Sequence, residues 1–119
     1  MKILVVDDNR DAAEILAAIL RHEGHTVWLA FSGRDAVSLA DQHKPALVLL
    51  DINMPEMTGF DVVRALRDHK RAPRPILLAV SGYGQESDKL AAKRVGFDGY
   101  FTKPVEPQEL IARIAALGK

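Results

Sequence analysis

Five short apolar runs punctuate the chain, at residues 3–6, 26–30, 46–50, 76–80 and 99–101, and every gap between them is long enough to hold a helix. Runs this short, starting about 20 to 30 residues apart, suit parallel strands, because a parallel pair needs a crossover of a dozen or more residues and a helix is the usual one. The gaps carry the matching period. Ala12, Ile15, Leu16, Ile19 and Leu20 recur at i, i+3, i+4, i+7 and i+8 and predict a core-facing stripe, with Asn9 as N-cap and Gly24 as the stop. Further helices are predicted over 34–43, 59–69 and 86–95, the last closed by Gly96. A final one carries Leu110, Ile111, Ile114 and Leu117 behind Pro107, a residue suited to a first helical position. The expected fold is α/β, a (βα)5 chain.

Strand composition orders the sheet. Runs one, three and four are aliphatic throughout, as parallel strands covered on both faces are. Run two includes Thr26 and Trp28, and run five has only Tyr100 and Phe101 before Thr102, so both are placed at edges. The doubly wound order 2-1-3-4-5 meets both conditions. It gives a flavodoxin-like three-layer sandwich in which ligands sit beyond the carboxyl ends of strands one and three, where the strand order reverses. With 119 residues, 48% of them apolar, such a chain can bury a core without disulfides, and it contains no Cys to form one. It is expected to be one domain over 1–119 with no output domain. Sixteen Lys and Arg balance sixteen Asp and Glu, which removes the basic footprint of a direct nucleic-acid binder. The apolar runs fall far short of the roughly 20 residues that span a bilayer, and the first stops at Asp7, so neither membrane insertion nor a signal peptide is expected. A cytoplasmic location follows as the default.

The strand ends select the chemistry. Asp7 and Asp8 follow run one, Asp51 follows run three, Ser81 run four and Lys103 run five, all at one edge of the sheet. Any of these alone has an ordinary reading: Asp7 or Asp8 as a turn former or cap, Ser81 as a turn residue, Lys103 as a solvated lysine, Tyr100 as edge packing. Three carboxylates on neighbouring strand ends are different, since like charges at short range repel by roughly 1 kcal/mol even at the dielectric of water. A positive partner must sit among them. Oxygen donors without His or Cys suit a hard cation such as Mg²⁺. The four histidines, His22, His25, His43 and His69, have no acidic or Cys partner at ligand spacing and are assigned no role.

The segments Val5-Val6-Asp7-Asp8-Asn9, Leu50-Asp51-Ile52-Asn53-Met54-Pro55, Ser81-Gly82 and Lys103-Pro104 resemble those of response-regulator receiver domains, in order and spacing along the whole chain. The resemblance implies a two-component phosphorelay in which a histidine kinase or histidine phosphotransfer domain passes a phosphoryl group to Asp51. Asp7, Asp8 and Asp51 would hold Mg²⁺ with the Asn53 backbone carbonyl, Ser81 and Lys103 would contact the phosphoryl oxygens, and Tyr100 would be the aromatic switch. It further implies a cis Lys103–Pro104 peptide, a downstream protein target reached through the surface of the 86–95 helix, the fifth strand and the last helix, and a monomer or weak phosphorylation-dependent dimer.

Three other functions fit the residues less well. A Mg²⁺-dependent phosphatase would need a second domain or cap, and an Asp two positions after its nucleophile on the first strand, where Asn9 follows Asp7 and Asp8 instead. A flavodoxin-like cofactor module would need phosphate-binding donors after strand one, and Asp7-Asp8 would repel a phosphate there. A phosphorylation-independent interaction module would be expected to lose one of the charged site residues; all are present.

Overall fold

In the computed structural model, residues 1–52, 59–67, 75–82, 93–94 and 96–117 are described. Along the chain these form β1 (Lys2–Val6), α1 (Arg10–His22), β2 (Thr26–Ala30), α2 (Gly33–His43), β3 (Leu47–Asp51), α3 (Gly59–Arg67), β4 (Ile76–Ser81), β5 (Gly99–Thr102) and α4 (Pro107–Leu117). The strands make one parallel sheet in the order β2-β1-β3-β4-β5, which places the mixed strands at the edges and the aliphatic ones inside. Of the helix predicted over 86–95, only Lys93 and Arg94 fall among the described residues, and both are helical; Asn53 and the end of the helix predicted over 59–69 lie outside them.

The two-residue period of the strands splits the core into two layers. Leu4, Val6, Val48, Leu50, Leu77 and Ala79 pack with Ala36 and Ala40 of α2 and Val62, Val63 and Leu66 of α3. Ile3, Val5, Leu47, Leu49, Leu78, Val80 and Phe101 face the other way, against Ala13, Ala17 and Leu20 of α1 and Leu110 and Ile114 of α4. Between their polar ends the central strands are therefore apolar throughout, because each of those residues meets a helix layer on one side or the other.

The inward face of α1 differs from the predicted stripe. Its buried residues are Ala13, Ala17 and Leu20, while Ile15 is 62% exposed. Leu20 is buried and Leu16 half-buried as the stripe predicts, but Ala13 and Ala17, whose small side chains let the helix approach the sheet closely, take the inward positions expected for Ile15 and Ile19. The helix ends fit their sequence signals. Asn9 accepts from the Ala12 amide at 3.1 Å, and Ser32 caps α2 by accepting from Asp35 N at 3.1 Å. Past α1, Gly24 at φ 94° lets its own N–H reach Arg21 O and the His25 N–H reach Leu20 O, the paired bonds of a Schellman stop.

The edge strands are held by side chains as well as by the ladder. Trp28 of β2 stacks on His43 at the end of α2, with ring centroids 4.3 Å apart and 15° between planes. Arg21 of α1 donates to the Val27 carbonyl at 2.8 Å, and Arg113 of α4 donates to the Tyr100 carbonyl at 3.0 Å.

Candidate functional site

The carboxyl ends of β1, β3 and β5 carry the site because each strand's alternation continues one step beyond its apolar residues. Asp7 follows Ile3 and Val5 in parity, Asp51 follows Leu47 and Leu49, and Lys103 follows Phe101, so all three belong to the α1 and α4 side. Ser81 and Tyr100 have the opposite parity. The ladder also runs past the strands: Asp7 N donates to Ala30 O at 3.1 Å and Lys103 N to Ser81 O at 2.8 Å, which fixes the backbone beneath both side chains.

Lys103 Nζ lies 3.2 Å from Asp51 Oδ2 and 3.4 Å from Asp7 Oδ2. Asp7, Asp8 and Asp51 each bring a carboxylate oxygen to within 4.8 Å of the others'. Asp7 is 2% and Asp51 4% exposed, while Asp8 faces solvent. Burial pushes the Asp7 carboxyl above its usual value, opposed by a hydrogen bond from the Asn9 amide at 2.9 Å and reinforced by the neighbouring Asp51 charge. Partial burial pulls the Lys103 ammonium down, but the Asp51 and Asp7 carboxylates outweigh it and hold it above the ordinary lysine value. Among the described residues one ammonium faces three carboxylates, a surplus of two formal negative charges. Oxygen donors at this spacing, with a surplus of two negative charges, fit a divalent hard cation.

The remaining predicted residues sit around this cluster. Ser81 is the last residue of β4 and fully buried; Tyr100 is half-buried against the α2 and α3 layer. The Lys103–Pro104 peptide is cis. Beside the lysine a cleft of about 400 Å³ is lined by Ala12, Ile15, Leu16, Val80, Pro104 and Val105, with Asp7 and Lys103 at its polar end. Exposed Ile15, predicted to face the core, belongs to this cleft. Among the described residues no helix is long and apolar enough to cross a membrane.

A doubly wound sheet with an acidic, oxygen-only cluster at its switch point and a lysine from the last strand defines a class of signalling domain rather than a nucleotide-binding one. The sequence pattern of the response regulator receiver domain matches residues 3–115, and the chain belongs to that family. An uncharacterised 14.6 kDa protein of the sodA1 3′ region in Leptolyngbya boryana is 40% identical over 111 residues, 93% of this chain and 85% of that protein. Among solved structures, the chemotaxis protein CheY4 of Vibrio cholerae aligns over 97% of this chain and 96% of its own with a TM-score of 0.90 at 30% identity. A response regulator signal receiver domain from Bermanella marisrubri covers 99% and 98%, with a TM-score of 0.87 at 36% identity. The protein is a receiver of two-component signalling, a switch domain whose acidic cluster suits Mg²⁺ and an aspartyl phosphate.

Proposed function

We propose that Asp51 accepts a phosphoryl group from the phosphohistidine of a histidine kinase or histidine phosphotransfer domain. The observation that carries this reading is the Asp7–Asp8–Asp51 cluster bridged by Lys103 at the sheet's switch point. An Asp51 carboxylate oxygen attacks phosphorus, the P–N bond to the donor imidazole breaks, and the imidazole leaves with the bonding pair. Lys103, already between Asp7 and Asp51, holds its proton and offers it as a hydrogen bond to the transferring oxygens. Ser81 offers a hydroxyl from the adjacent strand end. Mg²⁺, held by Asp7, Asp8 and Asp51 with the Asn53 backbone carbonyl, would neutralise charge on the phosphoryl group. Burial of Asp7 and Asp51 strengthens these interactions by lowering the local dielectric. The chain's own chemistry is limited to this self-catalysed transfer and to hydrolysis of the resulting acyl phosphate, so it acts as a switch and not on a separate substrate.

Phosphorylation then changes the surface of the 86–95 segment, β5 and α4, where a downstream protein target binds. Ser81 moves toward the new oxygens and Tyr100 turns into the space vacated. Residues 1–119 work as one receiver domain in the cytoplasm, alone or as part of a larger regulator, as a monomer or a weak dimer formed on phosphorylation. The test is incubation with Mg²⁺ and a small acyl phosphate followed by intact-mass measurement. Wild type should gain one phosphoryl group and Asp51→Asn none; equal gain by both overturns the assignment.

A further inference from the structure

Arg113 stands apart from the acidic cluster, yet two contacts and a notch tie its guanidinium to the strand that leads into Lys103. Its Cζ sits 4.2 Å above the centroid of the buried Phe101 ring. Nη1 donates to the Tyr100 carbonyl at 3.0 Å. A Cβ on Gly99 would stand 3.0 Å from Arg113 Nη2 and 2.8 Å from Leu78 Cδ2, so the missing side chain there makes the notch in which the guanidinium lies. An exposed ion pair to Glu109 Oε1 at 3.4 Å completes the set, and pairs of that kind contribute little by themselves. The direction of the Tyr100 carbonyl follows from the ladder. Lys103 N bonds Ser81 O, which puts the odd-numbered residues of β5 on the β4 side and turns the Tyr100 carbonyl to the outer edge, within reach of α4.

We propose that Arg113 is a positioning residue for the site: by fixing the Tyr100–Phe101 peptide and the Phe101 ring, it sets where the Lys103 ammonium meets Asp7 and Asp51. The path is short. Phe101 is 2% exposed and packed in the core, Lys103 N is anchored on Ser81 O, and only Thr102 lies between them. A lysine that must reach two carboxylates at 3.2 and 3.4 Å tolerates little displacement of the backbone it grows from. The planar fork matters as well as the charge, because one flat group must cover the ring and reach the carbonyl together, which a lysine ammonium cannot do.

Three variants separate positioning from general support. Arg113→Met keeps an apolar stem and deletes every donor, Arg113→Lys keeps the charge without the fork, and Gly99→Ala leaves Arg113 intact but fills its notch. In ¹⁵N-labelled protein the Phe101, Thr102 and Lys103 amide resonances should move in the same direction in Arg113→Met and Gly99→Ala, and about half as far in Arg113→Lys. Glu109→Gln, which removes only the surface pair, should leave them in place. The activity measurement rests on the reading of Asp51 as phosphoacceptor: with Mg²⁺ and a small acyl phosphate, the maximal rate of phosphate incorporation should fall about threefold to tenfold in Arg113→Met and Gly99→Ala, with the half-saturating donor concentration unchanged. Arg113→Lys should recover part of that rate. Wild-type amide positions from Phe101 to Lys103 in a cooperatively melting Arg113→Met protein overturn the proposal, as does a wild-type rate in that variant. If Gly99→Ala does not fold, the two Arg113 variants decide. Absence of phosphate incorporation in wild type would refute the phosphoacceptor reading, while the amide shifts still decide the role of Arg113.

Discussion

Replacing Asp7 with Asn should stabilise the metal-free protein at neutral pH. The carboxylate is 2% exposed, faces the Asp51 charge across at most 4.8 Å, and is pushed above its usual pKa chiefly by burial. At an effective dielectric of about 20 the Asp51 repulsion is worth about 3.5 kcal/mol and the Lys103 attraction at 3.4 Å about 5 kcal/mol. Lys103 is about one-third exposed, so solvent screens its share, and it keeps Asp51 as a partner in the variant. The two charge interactions therefore nearly cancel, and the desolvation of Asp7 remains. Asn can still accept the Asn9 amide without carrying a buried charge. The net gain should be on the order of 1–2 kcal/mol, which at this chain length corresponds to a rise of about 4–8 °C in melting temperature. The pH dependence has a fixed sign. Because the native-state pKa of Asp7 lies above its unfolded value, the native state takes up the proton first as pH falls. The wild-type penalty is complete above the raised native value and disappears by the ordinary carboxylate range. Urea denaturation in EDTA at pH 7 and at pH 4 measures the difference directly. With Mg²⁺ at about 100 times its dissociation constant, wild type should gain about 2.7 kcal/mol and the order should reverse. An Asp7→Asn protein no more stable than wild type at pH 7, or an advantage that persists undiminished at pH 4, would show that the cluster carries no electrostatic strain.

Asp8→Ala should lose titratable Mg²⁺ binding by calorimetry while keeping or slightly raising the apo melting temperature, since Asp8 supplies charge to the cluster from an exposed position. Ala17→Leu should cost about 1–3 kcal/mol in urea titration, because α1 rests on the sheet through small side chains and a larger one must force them apart. His43→Ala should change the emission of Trp28, the only tryptophan, with little loss of stability, because the stack lies at the sheet's edge.

The edge strands were legible because composition separates covered strands from exposed ones, the order of the inner three came from the doubly wound pattern that meets that condition, and the candidate site was legible because the chain places charged residues directly after apolar runs. Counting by twos from Ile3 reaches Asp7 and from Leu47 reaches Asp51, a parity that becomes readable once the two core layers are known. Two features were not legible. The stripe through Ala12, Ile15 and Ile19 weighs side chains by hydrophobicity, whereas α1 meets the sheet through Ala13 and Ala17 beside Leu20, and Ile15 lines the cleft beside Lys103 instead. Arg113 reads as one half of an ordinary i, i+4 pair with Glu109; its contact to Tyr100 depends on the outward turn of a carbonyl 13 residues away, which only the assembled ladder supplies.

The two helix arginines that bond the edge strands have a consequence beyond the site. Val27 on β2 and Tyr100 on β5 are out-turned positions, since Thr26 N bonds Met1 O on one side of the sheet and Lys103 N bonds Ser81 O on the other. Each of their carbonyls is occupied by a guanidinium, Arg21 at 2.8 Å and Arg113 at 3.0 Å. A strand arriving from another molecule would have to displace a charged donor and bury it to continue the ladder. Each edge thus carries its own obstacle to strand addition at the carbonyl an incoming ladder would use.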